Sequence, residues 1–467
     1  MSFGFGVDAF AAWLAGFGLP ATLALIIAAG AIWTGPILGL VLAIAGLGQI
    51  IERKVAAAMQ RRVGPNTAGV DGPIRLVIRL LLPKLARDRQ DKLLQTIITL
   101  PGLRVVLGIL QNWGIGQLAA DGVKMIGKED LIPAGVDGIV FRLAPYLALM
   151  GAFLPFAVIP FSQHVVALEC GVSAVYVVAV AGLAVFALFM AGWGSGNKFA
   201  LLGGMRAVAQ VVSYEVPVGL AIAGVVLWCG TLDLHRLVAT QYHPGVFSFL
   251  GWNLLQSPFL AGLAVIYAFA GLAECQRAPF DMAEAESELV SGFNTEYSGF
   301  RWGMFAMAEY TEMVLVGCLF SVLFLGGYQS PIAEEWIVAA PVWVEIPLHL
   351  GILFAKFTLG VVLMVWVRWT LPRFRVDQVM RLCWLTLVPL GLICVAGLAT
   401  TMLLAGTVAD GPAYGRFAPQ AQLVLSPLAR IAAWGVPLAI TIVLVVLARR
   451  KYGVRHEDIQ RLTGSIP

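Results

Sequence analysis

The chain has 467 residues, of which 59% are hydrophobic and only 12% charged, with a formal net charge of +4 and a mean hydropathy of +0.86. Soluble domains carry about a quarter charged residues, so this composition excludes one and points to an integral membrane protein. The small positive balance, with no basic stripe interleaved with aromatics, gives no sign of a nucleic-acid partner.

In chain order, the N-terminal stretch MSFGFGVDAFAAWLAG carries Asp8 but no Lys or Arg. It lacks the basic region of a cleaved signal peptide, so the first apolar run is expected to be retained as a helix. Apolar windows of ~20 residues are long enough, at 1.5 Å per residue, to cross a ~30 Å hydrocarbon core. They predict nine spanning helices, at residues 19–50, 142–162, 172–193, 207–230, 255–275, 303–326, 343–369, 383–405 and 427–449. The expected fold is an all-α polytopic bundle forming a single membrane domain over 1–467, with long loops on one side.

Lys and Arg set the orientation. Of the 31 basic residues, 27 fall in alternate loops and the C-terminal tail, whereas the opposite loops hold only Arg236, Arg416 and Arg430, and Lys356 lies inside the seventh span. The N-terminus is therefore expected outside and the C-terminus in the cytoplasm.

Within the first long basic loop, residues 74–109 mix aliphatics with Arg75, Arg79, Lys84, Arg87, Arg89, Lys92 and Arg104. Such a basic amphipathic segment suits the inner membrane surface. A charged loop packed against the rest of the protein is the plainer alternative.

The six cysteines, Cys170, Cys229, Cys275, Cys318, Cys383 and Cys394, never fall within ten residues of one another, and the five histidines are scattered. No metal-ligand spacing results, and no Gly-rich nucleotide fingerprint follows a predicted strand. Neither a metal nor an iron–sulfur cluster is expected on this chain, so electrons, if involved, belong to another polypeptide.

Carboxylates are concentrated where the fifth span ends. The loop 273–302 carries Glu274, Asp281, Glu284, Glu286, Glu288 and Glu296. If the segment after Pro279 is helical, Asp281, Glu284 and Glu288 share a face and Glu286 points elsewhere. Like charges at that spacing favour proton sharing or basic partners, and Arg277 and Arg301 flank the stretch. A solvated acidic face is the alternative. Ionisable residues within the spans carry a functional hypothesis by default: Glu215 in VSYEVPVGL, Glu309 and Glu312 in MAEYTEM, and Lys356 in the seventh span. A structural ion pair between Lys356 and one of these acids is the competing explanation. Two basic clusters, Glu52, Arg53, Lys54, Arg61 and Arg62 after the first span and Arg368, Arg373, Arg375 and Asp377 after the seventh, read by themselves as positive-inside anchors.

Together these stretches resemble the quinone-site membrane component, the H subunit, of proton-pumping NADH:quinone oxidoreductase, respiratory complex I. The resemblance is carried, in family order, by ERK with QRRVGPN, GIGQLAADGVKMIGKEDLIPAGVDGIVFRLAPYLA, GWGSGNKFALLGGMRAVAQVVSYEVP, LAECQRAPFDMAEAESELVSGFNTEYSG, FAMAEY and LPRFRVDQVM. It implies a helical bundle with a tilted first helix, in a bacterial-type inner membrane. It also implies a quinone, ubiquinone or menaquinone, as substrate, with no metal, FMN or iron–sulfur cluster held by this chain.

By match to the family, Glu52, Arg53, Lys54, Arg62, Asp121, Lys124, Arg206, Arg277, Pro279, Phe280, Asp281 and Phe305 would lie around the quinone path and chamber. Glu215, Glu274, Glu284, Glu286, Glu288, Glu296, Glu309 and Lys356 would form a proton path. The implied partners are the peripheral-arm iron–sulfur and quinone-site subunits, the small and antiporter-like membrane subunits, and membrane lipids.

The chain departs from the family in three places. The segment 67–113 is an insertion of about forty residues. Val376 and Leu385 stand where the family carries Tyr and Lys, and residues 427–467 add a ninth span and the tail RRKYGVRHEDIQRLTGSIP. The rival readings are the membrane component of a related membrane-bound hydrogenase and a stand-alone ion transporter with Glu215, Glu309 and Lys356 as its site. No internal repeat of the transporter kind supports the latter.

Overall fold

The computed structural model describes residues 45–65, 116–243, 245–283 and 290–408, with isolated positions at 20, 39, 41, 42 and 114. The insertion 67–113, residues Glu284, Glu286 and Glu288, the ninth span and the tail lie outside the described residues, as does most of the first span. Among the described residues there is no strand.

The helices are α1 (residues 45–59), α2 (Gly116–Gly127), α3 (Gly138–Phe153), α4 (Ser173–Gly194), α5 (Lys198–Cys229) and α6 (Leu234–Thr240). They continue with α7 (Pro258–Glu274), α8 (Gly299–Phe324), α9 (Glu334–Val338), α10 (Val342–Thr370), α11 (Val376–Leu382) and α12 (Val388–Val408). A π turn at Cys383–Leu387 joins α11 to α12.

Six helical units are long and apolar enough to span: Gly138–Val158, α4, α5, α8, α10 and Val376–Met402. Together with the shorter apolar α7 they correspond to seven of the nine predicted spans.

Local chemistry sets the boundaries that pattern reading misses. α5 starts nine residues before the predicted 207, because Asn197 caps it by accepting from the Phe199 N–H at 2.9 Å. It ends where Gly230 takes a left-handed φ of 69°, the conformation glycine adopts most readily. Arg206, expected in a loop, therefore lies on a helix. α7 starts from the Ser257 cap with Pro258 in its first turn, where the missing N–H costs nothing.

With 17 residues, α7 is only ~26 Å long, short of a full crossing. Irregular backbone at membrane depth persists only where protein satisfies it, and amide side chains do so at both ends. At one end Gln210 Nε2 donates to the Ala273 and Phe280 carbonyls, each at 2.7 Å. At the other, the Asn253 N–H donates to Gln241 Oε1 at 3.2 Å, and Gln256 Nε2 donates to Gly251 O at 2.5 Å.

The bundle packs α3 on α4, α4 on α5, α5 on α7, and α8 on α3 and α10. Small residues make the closest approaches, as expected where van der Waals contact rather than hydrophobic expulsion drives association. A Cβ on Gly151 of α3 would lie 2.9 Å from the Ala184 backbone of α4. Outward faces stay apolar, with Phe186 on α4 and Leu359, Leu363 and Trp366 on α10 all exposed. That pattern is what a lipid-facing surface requires.

Candidate functional site

The start of α8 lies at the same end of the bundle as the basic loops, and there α1, α8, α10 and the α7–α8 loop converge on a buried group of charges. Glu52 of α1 and Arg277 of the loop are 7% and 8% exposed. Arg277 Nη2 pairs with Glu309 Oε2 of α8 at 2.9 Å, and its Nη1 lies 3.8 Å from Glu52 Oε2. Arg368 of α10 pairs with Glu52 Oε1. Tyr310 Oη donates to Glu52 Oε2 at 3.0 Å, and the Arg277 guanidinium lies over the Tyr310 ring at 4.4 Å. Two carboxylates thus face two guanidiniums, a balance that low-dielectric surroundings require.

An acid row leads inward from Glu309. Glu312 is one turn along α8, where residues at i and i+3 neighbour each other. It lines a cavity of about 50 Å³ with Glu215 of α5, Glu274 at the end of α7 and Tyr267. That volume admits about one or two waters. Glu274 is electrostatically coupled to Glu215 and to Glu312. Glu215 Oε1 is buried with no hydrogen-bond partner among the described residues. Insertion scales put a charged carboxylate at a helix centre at about 2.5–3.5 kcal/mol each.

The α7–α8 loop is held as one piece. Besides the Gln210 bonds, Phe280 is 1% exposed and packs between Tyr214 and Phe374. Phe374 N–H donates to Pro279 O at 3.0 Å. Asp281 Oδ2 pairs with Arg373 Nη2 at 2.9 Å.

Of the residues singled out in the sequence, Glu52, Arg277 and Glu309 meet directly, and Pro279, Phe280 and Asp281 shape the loop beside them. Arg53 and Asp121 form their own pair at 2.7 Å between α1 and α2, with Gln117 donating to Asp121 at 2.8 Å. Lys54 and Arg206 are half-buried on α1 and α5, whereas Arg62 and Lys124 are exposed. Arg62 bonds to Gln60. Phe305 sits one turn before Glu309, in an aromatic cluster with Phe293 and Tyr297. Glu296 accepts from Asn197 at 2.8 Å.

Lys356 stands apart. Its ammonium donates to the carbonyls of Leu325, Gly327 and Gln329 at 2.6–2.8 Å and lies 4.6 Å from the Trp252 ring centroid. Leu325 is sixteen residues beyond Glu309, ~24 Å along α8. Glu309 and Lys356 therefore do not form one site, which removes the transporter arrangement built on Glu215, Glu309 and Lys356.

Sequence reasoning passed over Tyr310 and Gln210 and took Arg368 and Arg373 as anchors alone. Tyr310 directly follows Glu309 in the motif, and Gln210 is a lone amide in an apolar helix. Arg368 and Arg373 read as anchors because nothing local marks their partners, 316 and 92 residues away.

The chain matches the NADH dehydrogenase family over residues 104–399. It is 42% identical over 313 residues to the NADH-quinone oxidoreductase H subunit of Anaeromyxobacter dehalogenans (strain 2CP-C), covering 65% of this chain and 75% of that protein. To the corresponding protein of Rhodospirillum centenum (strain ATCC 51521 / SW) it is 43% identical over 304 residues, covering 62% and 84%. To that of Anoxybacillus flavithermus (strain DSM 21510 / WK1) it is 37% identical over 358 residues, covering 76% and 89%.

Proposed function

The chain belongs to the NADH dehydrogenase family as the H subunit of an NADH-quinone oxidoreductase, and from that premise we propose that its Glu52–Arg277–Glu309 cluster couples quinone reduction to proton movement. In this reading the cluster and the α7–α8 loop wall a quinone chamber and its access path. Glu309, Glu312, Glu274 and Glu215 carry the proton response inward, and Glu284, Glu286, Glu288 and Glu296 extend it along the loop. The remaining expected quinone-site residues, Arg53, Lys54, Arg62, Asp121, Lys124, Arg206, Pro279, Phe280, Asp281 and Phe305, border the chamber.

One observation carries the reading: a single guanidinium, Arg277, bridges the carboxylate nearest the loops to the first carboxylate of the acid row. A charge appearing beside Glu52 alters what Arg277 offers Glu309, and the electrostatically coupled acids respond by exchanging protons. Reduction of the quinone headgroup supplies that charge. Electrons reach it from an iron–sulfur protein of the peripheral arm, and the small and antiporter-like membrane subunits receive the proton response. The chain sits in a bacterial-type inner membrane with the basic loops and C-terminus cytoplasmic, a reading supported by 27 basic residues on that side against three in the opposite loops.

The test is Glu215→Gln in the assembled complex. Quinone reduction with uncoupler should persist while protons moved per quinone reduced fall. Normal pumping by this variant, fully assembled, would sink the reading.

A further inference from the structure

A second group of buried ionisable side chains lies at the other end of the bundle, beyond the C-terminus of α8. His349 of α10 is 0% exposed, with Glu334 at 1% and Glu345 at 3%. His349 Nε2 lies 3.1 Å from Glu334 Oε1 at the start of α9. Its Nδ1 lies 3.4 Å from Ser162 Oγ and 3.6 Å from Glu345 Oε1, one turn back on α10. Glu345 Oε2 lies 3.5 Å from His164 Nε2, and the His164 side chain is 40% exposed. Acid and imidazole alternate from the interior to the surface.

We propose that Glu334, His349, Glu345 and His164 form a proton half-channel between the Lys356 pocket and the surface opposite the Glu52–Arg277 cluster. The inference rests on the reading that this chain takes part in proton transfer, and it adds a route at the far face.

Three observations separate a relay from a staple. Every neighbour along the line is a carboxylate or an imidazole, side chains that both accept and donate protons. Glu345 Oε1 is buried without a hydrogen-bond partner among the described residues, whereas a network kept for rigidity would be fully satisfied. An ionisable line is also a poor staple, because apolar residues of equal volume stabilise as well or better. No group of His, Cys, Asp and Glu among the described residues has metal-holding geometry.

Among the described residues, Tyr328, Lys356 and Tyr242 also interact with the line. The Tyr328 ring lies 5.0 Å from His349, and burial beside Glu334 and Glu345 pushes its phenol up, so it remains neutral. Lys356, two turns beyond His349 on α10, is electrostatically coupled to Glu334. The fourth oxygen in reach, Glu334 Oε2, accepts from Ser330 N–H at 2.5 Å, which fixes the carboxylate towards His349.

A proton on Glu334 passes to His349 Nε2, and the imidazolium gives its Nδ1 proton to Glu345. Glu345 protonates His164 Nε2, and His164 releases a proton from Nδ1 to water. A flip of each ring restores its tautomer, and Glu334 is reprotonated from the Lys356 end, so one proton has moved outward with no net change in charge.

The experiment uses the whole complex reconstituted in phospholipid vesicles, comparing wild type with Glu345→Gln, His349→Gln and His164→Ala. The expected result is retained quinone reduction in the presence of uncoupler, a fall in protons moved per quinone reduced, and recovery of His164→Ala, but not Glu345→Gln, on adding imidazole. Unchanged proton yield in all three variants overturns the half-channel. So does joint loss of quinone reduction and pumping without imidazole rescue, the mark of a structural role. If the wild-type complex pumps while the three variants match it, only this inference fails. If wild type moves no protons, the earlier reading falls with it.

Discussion

Arg277→Lys separates the geometry of the guanidinium from its charge. Arg277 reaches Glu309 at 2.9 Å with one nitrogen and approaches Glu52 at 3.8 Å with the other, while its plane lies over Tyr310 at 4.4 Å. Lysine keeps the positive charge but has a single head and no plane to stack. Glu52 retains Arg368 and Tyr310 as partners, so the substitution removes one charge-assisted contact and the stacking, not the neutrality of the group. A charge-assisted hydrogen bond contributes about 1.5–3 kcal/mol and a partly desolvated cation–π contact about 0.5–2 kcal/mol, so the loss is about 2–5 kcal/mol. The assay is quinone reduction by the purified complex, normalised to the amount of this chain it contains. The variant should assemble and lose at least about tenfold in activity, the equivalent of ~1.4 kcal/mol. Combined with Glu309→Gln in a double-mutant cycle, the coupling should exceed about 0.5 kcal/mol. Additive effects, or wild-type activity in Arg277→Lys, would refute the bridging role.

Gln210→Leu frees two buried carbonyls that its amide now holds, each at a cost of about 1–3 kcal/mol. The expected result is faster proteolysis in the 275–283 loop and a lower yield of complex. Gly203→Ala places a Cβ 2.6 Å from the Gly292 Cα, backbone against backbone, and overpacking of this kind destabilises by about 1–3 kcal/mol. A lowered melting temperature of the detergent-solubilised complex checks it. Lys356→Met removes the cation that three carbonyls at the C-terminal end of α8 share. A loss of at least about 3 kcal/mol follows from charged hydrogen bonds of about 1.5–3 kcal/mol each, read as reduced assembly that Lys356→Arg restores in part.

The seven spans that fall within the described residues, and the acids inside them, were legible in the sequence because membrane insertion acts on composition over ~20 residues, and because a charge inside an apolar run is conspicuous. Glu215, Glu309 and Glu312 were visible on that ground alone. Which acids share a cavity was not legible, since it depends on how α5, α7 and α8 are rotated against each other, and small residues spread along the chain set that rotation. The opposite cluster escaped for a related reason. Glu334 and His164 sit outside the predicted spans, where a Glu or His reads as ordinary surface polarity until the fold buries it, and Glu345 and His349 fall in the first two turns of the seventh span, at its polar edge. Lys356 illustrates the limit from the other side: its charge was obvious and its partners were not, because they are backbone carbonyls that carry no sequence signal.

The two polar regions are separated along α10 by Phe357, Val361 and Val365, 3%, 3% and 0% exposed. From Lys356 to Arg368 is twelve residues, ~18 Å, with Thr358 the one hydroxyl between them, whereas each transfer needs partners within about 3 Å or one intervening water. Protons do not pass directly along this face, so any link between the halves is electrostatic or mechanical. A unit charge ~18 Å away, at an effective dielectric of about 20, contributes about 0.9 kcal/mol. Moving a two-state equilibrium from about 1:99 to 99:1 takes about 5.5 kcal/mol. Electrostatics alone therefore biases the far half without switching it, and tight coupling requires an element that moves. The 275–283 loop fits that role. It carries Arg277 at the head of the acid row and is held by the Gln210 amide, the Asp281–Arg373 pair and the Phe374 N–H on Pro279 O, with Phe280 packed between Tyr214 and Phe374. It also adjoins the α10–α11 connection through Phe374, so a change at Glu52 that displaced Arg277 would have a packed route to that connection besides the field.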